Sequence, residues 1–404
     1  MRSEPEAGPA HVAVVSFLAS RVVPSGGFWV ALAGGVALAR VAERRGARRS
    51  CGTSIAAMLE TVAIIGPLRF GVPLTQAVTA PLLGRLEARG MPAWLQMLIC
   101  GVLRLAQNTL QTAVFIWILA GGLDAFTGTY DAIAGRLGFS VGNTETLVFT
   151  AIGLVAWATF ASIVQVLVYR RGLLRWDAVA AEEALLHGAV EPALRPTDDS
   201  PPVLSDAPAD RSASAGASSA LRSRGELAAR FDPRLLALIA VALFAVLLAS
   251  TEWVVLAGVA AFLAIAWVVS RPDPTPLQAG LAFTALLGFS VFMLALIGGL
   301  GLEVALRRAI RAGLLVMTAT WLRAAARAEG LRFVFRRALR RLRRIPSIPE
   351  ASQVLDSLSS EARLATSGRA FAASLEDVPH RPLPFVDAVL GWVVREARAP
   401  HPPS

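Results

Sequence analysis

Hydrophobic positions in this chain gather into long blocks instead of alternating with polar ones. In the first half the blocks cover about 10–23, 27–42, 51–67, 72–88, 93–122 and 143–169. A bilayer-crossing helix needs about 20 apolar residues, so six blocks predict six membrane helices. Pro24-Ser25-Gly26-Gly27 separates the first pair, and Gly66-Pro67 and Gly71-Val72-Pro73 bracket the turn between the third and fourth. The second half opens with Phe231-Asp232-Pro233-Arg234 and has apolar blocks at 235–249, 253–269 and about 277–300. Residues 303–320 continue as helix and carry Arg307, Arg308 and Arg311. From Arg323 to Arg344 the pattern is an arginine-rich amphipathic helix, and residues 303–344 hold twelve Arg against two Glu. The tail 350–399 keeps helical spacing (Val354, Leu355, Leu358; Val386, Val389, Leu390, Val393) with too few apolar residues to span lipid.

Between the halves, residues 192–223 are rich in Pro, Ala, Ser and Asp and almost lack aromatic residues. Such a segment cannot bury enough apolar surface to offset its ordering entropy, which predicts a disordered linker. The expected fold is therefore all-α: a polytopic helical membrane protein with two membrane domains and C-terminal amphipathic helices. The boundaries expected are 1–177, 178–228 for the linker, 229–322, and 323–404 for the cytoplasmic helices. Arginine-bearing loops lie inside. Arg40, Arg44, Arg45, Arg48 and Arg49 mark one such loop, Arg85 and Arg89 another, and Arg170, Arg171 and Arg175 the exit of the sixth block. Loop 123–142, with Arg136 against Asp124 and Asp131, reads as external. Both termini are then cytoplasmic, in a multi-pass protein of the cell membrane. The N-terminus, with Arg2 beside Glu4 and Glu6, does not read as a cleavable signal.

Composition agrees and narrows the chemistry. Of 404 residues 55% are hydrophobic and 17% charged, where a soluble protein carries roughly 25% charged. The net charge is +10 and all 39 basic residues are Arg. A chain without Lys has no P-loop lysine to reach nucleotide phosphates and no Schiff-base lysine. ATP hydrolysis by a P-loop must then come from another chain. Two cysteines, Cys51 and Cys100, and four scattered histidines offer no disulfide framework and no metal cluster. No paired intramembrane acids, HExxH, or GxSxG with a suitable His occur. The reading is a non-enzyme with no catalytic residues, no resident metal and no cofactor.

The fifth block holds the polar groups Arg104, Gln107, Asn108 and Gln111. Arg104, Asn108 and Gln111 share one helical face. An arginine in mid-membrane costs several kcal/mol unless paired or facing a polar cavity. With Glu60 and Arg69 flanking the third block, and Gln165 in the sixth, two readings stand. One is a substrate cavity in which Arg104 or Arg69 meets an anionic or amide-bearing small molecule. The other is a structural network in which Glu60 neutralises an arginine and the amides bond across helices. Small residues such as Gly34-Gly35 and Ala56-Ala57 read as close helix packing or as a docking face. The helix 323–344 suits docking of a cytoplasmic partner or contact with anionic membrane lipid. It has no aromatic platforms for nucleic acid, which is not expected as a partner.

Residues 229–269, running Ala-Arg-Phe-Asp-Pro-Arg-Leu-Leu-Ala-Leu-Ile into an apolar pair, resemble the opening of the transmembrane T component of energy-coupling factor (ECF-type ABC) transporters. Residues 301–320 resemble that family's arginine-containing helix with its Thr-rich end, and 330–346 the approach to its coupling helices. In the family, two such helices end in Ala-Arg-Gly-like triplets that insert into two ABC-type ATPase subunits. By position, Ala397-Arg398-Ala399 matches the second triplet, and Arg363 or Arg369 is the candidate for the first. Neither is Ala-Arg-Gly; the intact Ala88-Arg89-Gly90 lies in the other half. The first half matches a substrate-binding S component in span count and orientation alone. The resemblance implies a membrane subunit that couples partner ATPases to uptake of a small micronutrient. The spans lack soft or imidazole ligands for a transition metal, so an organic, vitamin-like cargo is the better expectation. The competing reading is a non-transporting membrane scaffold whose Arg-rich helix binds anionic lipid or a cytoplasmic partner.

Overall fold

The computed structural model describes residues 7–21, 27–66, 71–120, 122–190, 231–270, 274–358, 361–375, 378 and 382–398. All regular structure among them is helical. The first seven helices are α1 (Ala7–Ala19), α2 (Gly27–Arg45), α3 (Ala47–Ile65), α4 (Gly71–Ala88), α5 (Ala93–Phe115), α6 (Leu123–Arg136) and α7 (Asn143–Val190). A π-helical turn, Ile116–Ala120, extends α5. The later helices are α8 (Pro233–Ala249), α9 (Trp253–Ser270), α10 (Pro274–Ile297), α11 (Leu302–Arg341), α12 (Ile348–Ser357), α13 (Glu361–Ala373) and α14 (Pro382–Arg398). The predicted linker falls largely outside the described residues, and helix α7 continues to Val190.

Three stretches, Asn143–Val179, Trp253–Ser270 and Leu277–Ile297, are long and apolar enough to cross a membrane. At most 17% of the apolar window in each is covered by the rest of the chain. Side chains such as Val254, Val268, Leu286 and Phe289 are exposed. Leaving them in water forfeits about 25 cal/mol per Å² of apolar surface, and lipid removes that cost. This supports membrane association. Exposed apolar residues on α5 (Leu98, Val102, Leu110) and α8 (Leu238, Val241) continue the same surface.

The first half differs from the expected six spans. Its six blocks do become helices, but among the described residues only the last contains a candidate span. Helix α1 has 13 residues, about 20 Å of helix, and its Val12–Val15 and Phe17 have no exposed surface. Helix α2 is enclosed as well, with Val30–Leu32 and Val36–Ala39 wholly covered. The two pack antiparallel, Ser16 against Gly34 and the Ser20 carbonyl against Gly27. Their apolar residues face neighbouring protein, which hydropathy alone does not distinguish from lipid.

Close approach explains several of the small residues. A Cβ on Gly84 would lie 2.0 Å from the Ala39 carbonyl oxygen, so α4 meets α2 backbone to backbone. One on Gly35 would meet the Tyr169 hydroxyl of α7 at 1.8 Å. The packing reading of these small residues accounts for both contacts.

Helix α6 forms where an external loop was expected. Its one apolar edge, with Phe126 buried and partly covered neighbours, packs on α7, α10 and the π-turn. That signal is too short to separate from loop in the sequence. Helix α8 starts on a cap: the Asp232 carboxylate accepts from the Arg234 backbone N–H at 2.9 Å, with Pro233 at the first helical position. Its other end is closed by Arg311 of α11, which donates to the Leu247 and Leu248 carbonyls at 2.5 and 2.8 Å.

Helix α11 joins the two regions of the molecule. It packs on α8, α9 and α10 and also on α3 and α12; Arg323, before the break, donates to the Ile64 carbonyl of α3, and Arg332, after it, to Glu60. The break lies at Arg327, which has φ 55° and ψ 173° inside an otherwise helical run. That conformation is nearly restricted to glycine, so the residue is strained. Helices α13 and α14 do not stand away from the bundle: Phe371, Leu390 and Val393 are fully covered in the core that also holds α1 and α2.

Candidate functional site

A connected set of buried polar groups lies where α4, α5 and α7 meet. Gln165 of α7 sits at the centre with no exposed surface. Its Nε2 donates to Gln76 Oε1 at 2.8 Å and to Thr79 Oγ1 at 2.6 Å, both on α4. Its Oε1 accepts from Arg104 Nη2 and from the Cys100 thiol on α5. The Tyr169 hydroxyl, one turn along α7, donates to the same Gln76 oxygen at 2.8 Å. Gln107 Nε2 donates to Thr75 Oγ1 at 2.9 Å. Lower on the same interface, Arg170 Nε donates to Glu87 at 3.1 Å, and Gln96 donates to Glu87 and to the Met91 carbonyl.

Arg104 is 3% exposed and has no carboxylate partner among the described residues. Its Nε, Gln76 Nε2, Gln107 Oε1 and Asn108 Nδ2 are buried without a hydrogen-bond partner. Burying a polar atom unpaired costs about 1–3 kcal/mol, and more for a charge. One cation and three amide groups on this interface thus keep atoms without a hydrogen-bond partner among the described residues.

The sequence-derived candidates divide. Arg104 and Gln107 belong to this network, and half-buried Asn108 sits beside them. Gln111 is exposed. Glu60 is elsewhere: it is fully buried in α3 and both its carboxylate oxygens accept from Arg332 of α11. The arginine it neutralises is thus Arg332 and not Arg104. Arg69 lies outside the described residues. Thr75, Gln76, Thr79 and Tyr169 were not singled out from the sequence. The i, i+1, i+4 spacing of the three α4 residues was the available signal, and it becomes informative only once α4 is placed against Gln165.

The three coupling candidates lie on the C-terminal helices. Arg363 is half-buried near the start of α13, and Arg369 and Arg398 are exposed on α13 and α14. Helix α14 is tied to α7 by Arg171, which donates from Nε and Nη2 to the two Asp387 oxygens at 2.7 Å each. The Arg171 hydrogen bonds, then the positive charge of Arg171 and Arg175, hold the Asp387 carboxyl below its usual range. A second basic surface follows α11: Arg337, Arg340, Arg341, Arg343 and Arg344 are exposed together with Leu342 and Ile345.

The fold and this site define an all-helical, membrane-associated protein with a buried arginine–amide network. No family model, curated protein or solved structure matches the chain.

Proposed function

We propose that this chain is the membrane subunit of an ATP-driven importer of the energy-coupling factor type, taking up a small organic micronutrient and borrowing its motor from partner ATPases. The cargo's anionic or amide group would meet Arg104 and the open amide valences around Gln165. Helix α7 carries this reading. It holds Gln165 and Tyr169 in the network, and two residues further on it grips Asp387 of α14 through Arg171. A displacement of α14 by a nucleotide-hydrolysing partner therefore reaches the network through one rigid helix. With no lysine in the chain, the P-loop belongs to the partner.

The test is purification from native membranes with ATPase detection, together with mass spectrometry of co-purifying small molecules. The expected result is one or two ABC-type ATPases in the complex, lost on Arg398→Glu while the chain alone keeps its thermal transition. Recovery of the intact chain with no ATPase, from membranes that import nothing in an ATP-dependent way, would overturn the proposal.

A second reading is favoured by one observation, the five exposed arginines with Leu342 and Ile345 at the end of α11. Such a surface fits anionic lipid, at about 1 kcal/mol per arginine near the membrane. As a scaffold, the chain would bind phosphatidylglycerol vesicles and lose that binding on charge reversal at Arg340 and Arg341. Substitutions at Arg104 would then leave every activity unchanged.

A further inference from the structure

We infer that a cleft at the far end of α5, separate from the Arg104 network, is a binding site for an anionic amphiphile: one carboxylate or phosphate on an apolar body. The cleft is lined by Phe115, Phe126 and Tyr130 from α5 and α6, Leu294 and Ala295 from α10, and Arg308 from α11. Its construction depends on α6 lying close against the end of α10. A Cβ on Gly298 would meet the Thr129 hydroxyl at 2.5 Å, so glycine there permits the approach. The Thr129 hydroxyl itself is satisfied, donating to the Ala125 carbonyl at 2.7 Å.

Arg308 gives the cleft its specificity. It is half-buried, and no described residue accepts from it or pairs with it. Its neighbours on the same helix have partners within the chain: Arg307 pairs with Glu303, although its Nε stays unbonded, and Arg311 donates to the end of α8. The walls around Arg308 are aromatic and aliphatic, with no acid among them. A guanidinium held in such walls is stabilised by an anion that brings its own apolar surface. The cleft is small and open on one side, so it seats the charged head and the first carbons of such a ligand. A small hydrophilic anion would satisfy Arg308 but leave the aromatic walls bare. A neutral lipid tail would fill the walls but leave the charge unanswered. The inference does not depend on ATPase partners or on the function of the Arg104 network.

The probe is a diazirine-bearing palmitate, offered to the full chain in neutral detergent beside the matching palmityl alcohol, with adducts mapped by peptide mass spectrometry. We expect palmitate adducts on peptides containing Phe115, Tyr130 or Leu294, exceeding the alcohol by about tenfold, the size of one charge-assisted hydrogen bond. Arg308→Gln should bring the ratio near one. If that variant does not fold, the unmodified protein still decides: excess oleate must displace the probe and oleyl alcohol must not. In nanodiscs, displacement by phosphatidylglycerol but not phosphatidylcholine would identify a bilayer lipid as the source. Displacement by oleate alone would identify a free acid. Equal labelling by palmitate and alcohol, adducts confined to other peptides, or displacement by neither anion would overturn the inference.

Discussion

Arg332 of α11 donates to both carboxylate oxygens of Glu60 in α3, joining the second half of the chain to the first. Glu60 has no exposed surface, so its charge is tolerable only while Arg332 stays. Removing one member of a buried pair costs about 3–5 kcal/mol, whereas replacing both by apolar residues is often neutral. Glu60→Leu alone should lower the thermal transition of the purified chain sharply. Glu60→Leu with Arg332→Leu should recover most of the loss. Additive losses in this double-mutant cycle would show that the pair contributes little.

Arg104 presents the opposite balance. It is a buried cation with no counter-charge among the described residues, kept at a cost in stability. Arg104→Met removes the charge, retains much of the volume and leaves Gln165 bonded to α4. The expected outcome is a folded protein with an unchanged or higher melting temperature and a loss of small-molecule binding. A large drop in melting temperature would mean that the arginine is a structural member of the network.

Arg327 holds a backbone conformation that costs of order 1–3 kcal/mol for a residue with a side chain. Glycine adopts it freely, at an entropic cost of roughly 0.5–1 kcal/mol. Arg327→Gly should therefore stabilise the chain by about 1 kcal/mol, read as a melting temperature raised by about 1 °C. A destabilised variant would show that the arginine side chain contributes more than the backbone strain costs.

The attachment of α14 should depend on pH. The Asp387 carboxyl is held below its unfolded value, so its contribution is complete above that value, about 4. It is lost as pH falls further, through the folded-state value. Backbone hydrogen exchange in residues 388–398, corrected for the intrinsic rate, should speed up as pH drops from about 5 to 3. In Asp387→Asn the same protection should be low at every pH. Because Arg171 is exposed, added salt should weaken the wild-type protection as well.

Element positions were legible in the chain, and element surroundings were not. Pro24 to Gly27 and Gly66 to Pro73 divide the helices near where they end, and Asp232-Pro233 starts α8 where an N-cap and first-turn proline belong. Arg104 was legible as an anomaly because a lone cation in an apolar block needs an explanation. Its environment was hidden: Gln76 is 89 positions from Gln165 in sequence, yet their amides bond. The spacing of Thr75, Gln76 and Thr79 in α4 marks a polar edge but does not name its partner.

From residue order alone follow the helical class, the places where helices break, the membrane-associated surface and the lack of a P-loop lysine. Each depends on neighbours in sequence or on composition. Tertiary structure decided that α1 and α2 are enclosed by protein, that Glu60 answers Arg332, that Arg104 shares its interface with Gln165 and Tyr169, and that α14 is tied to α7. Helix hydrogen bonds close within four residues, so helices are written locally. Which helix faces which is set by packing and charge pairing between distant segments, and that is resolved only when the whole chain is assembled.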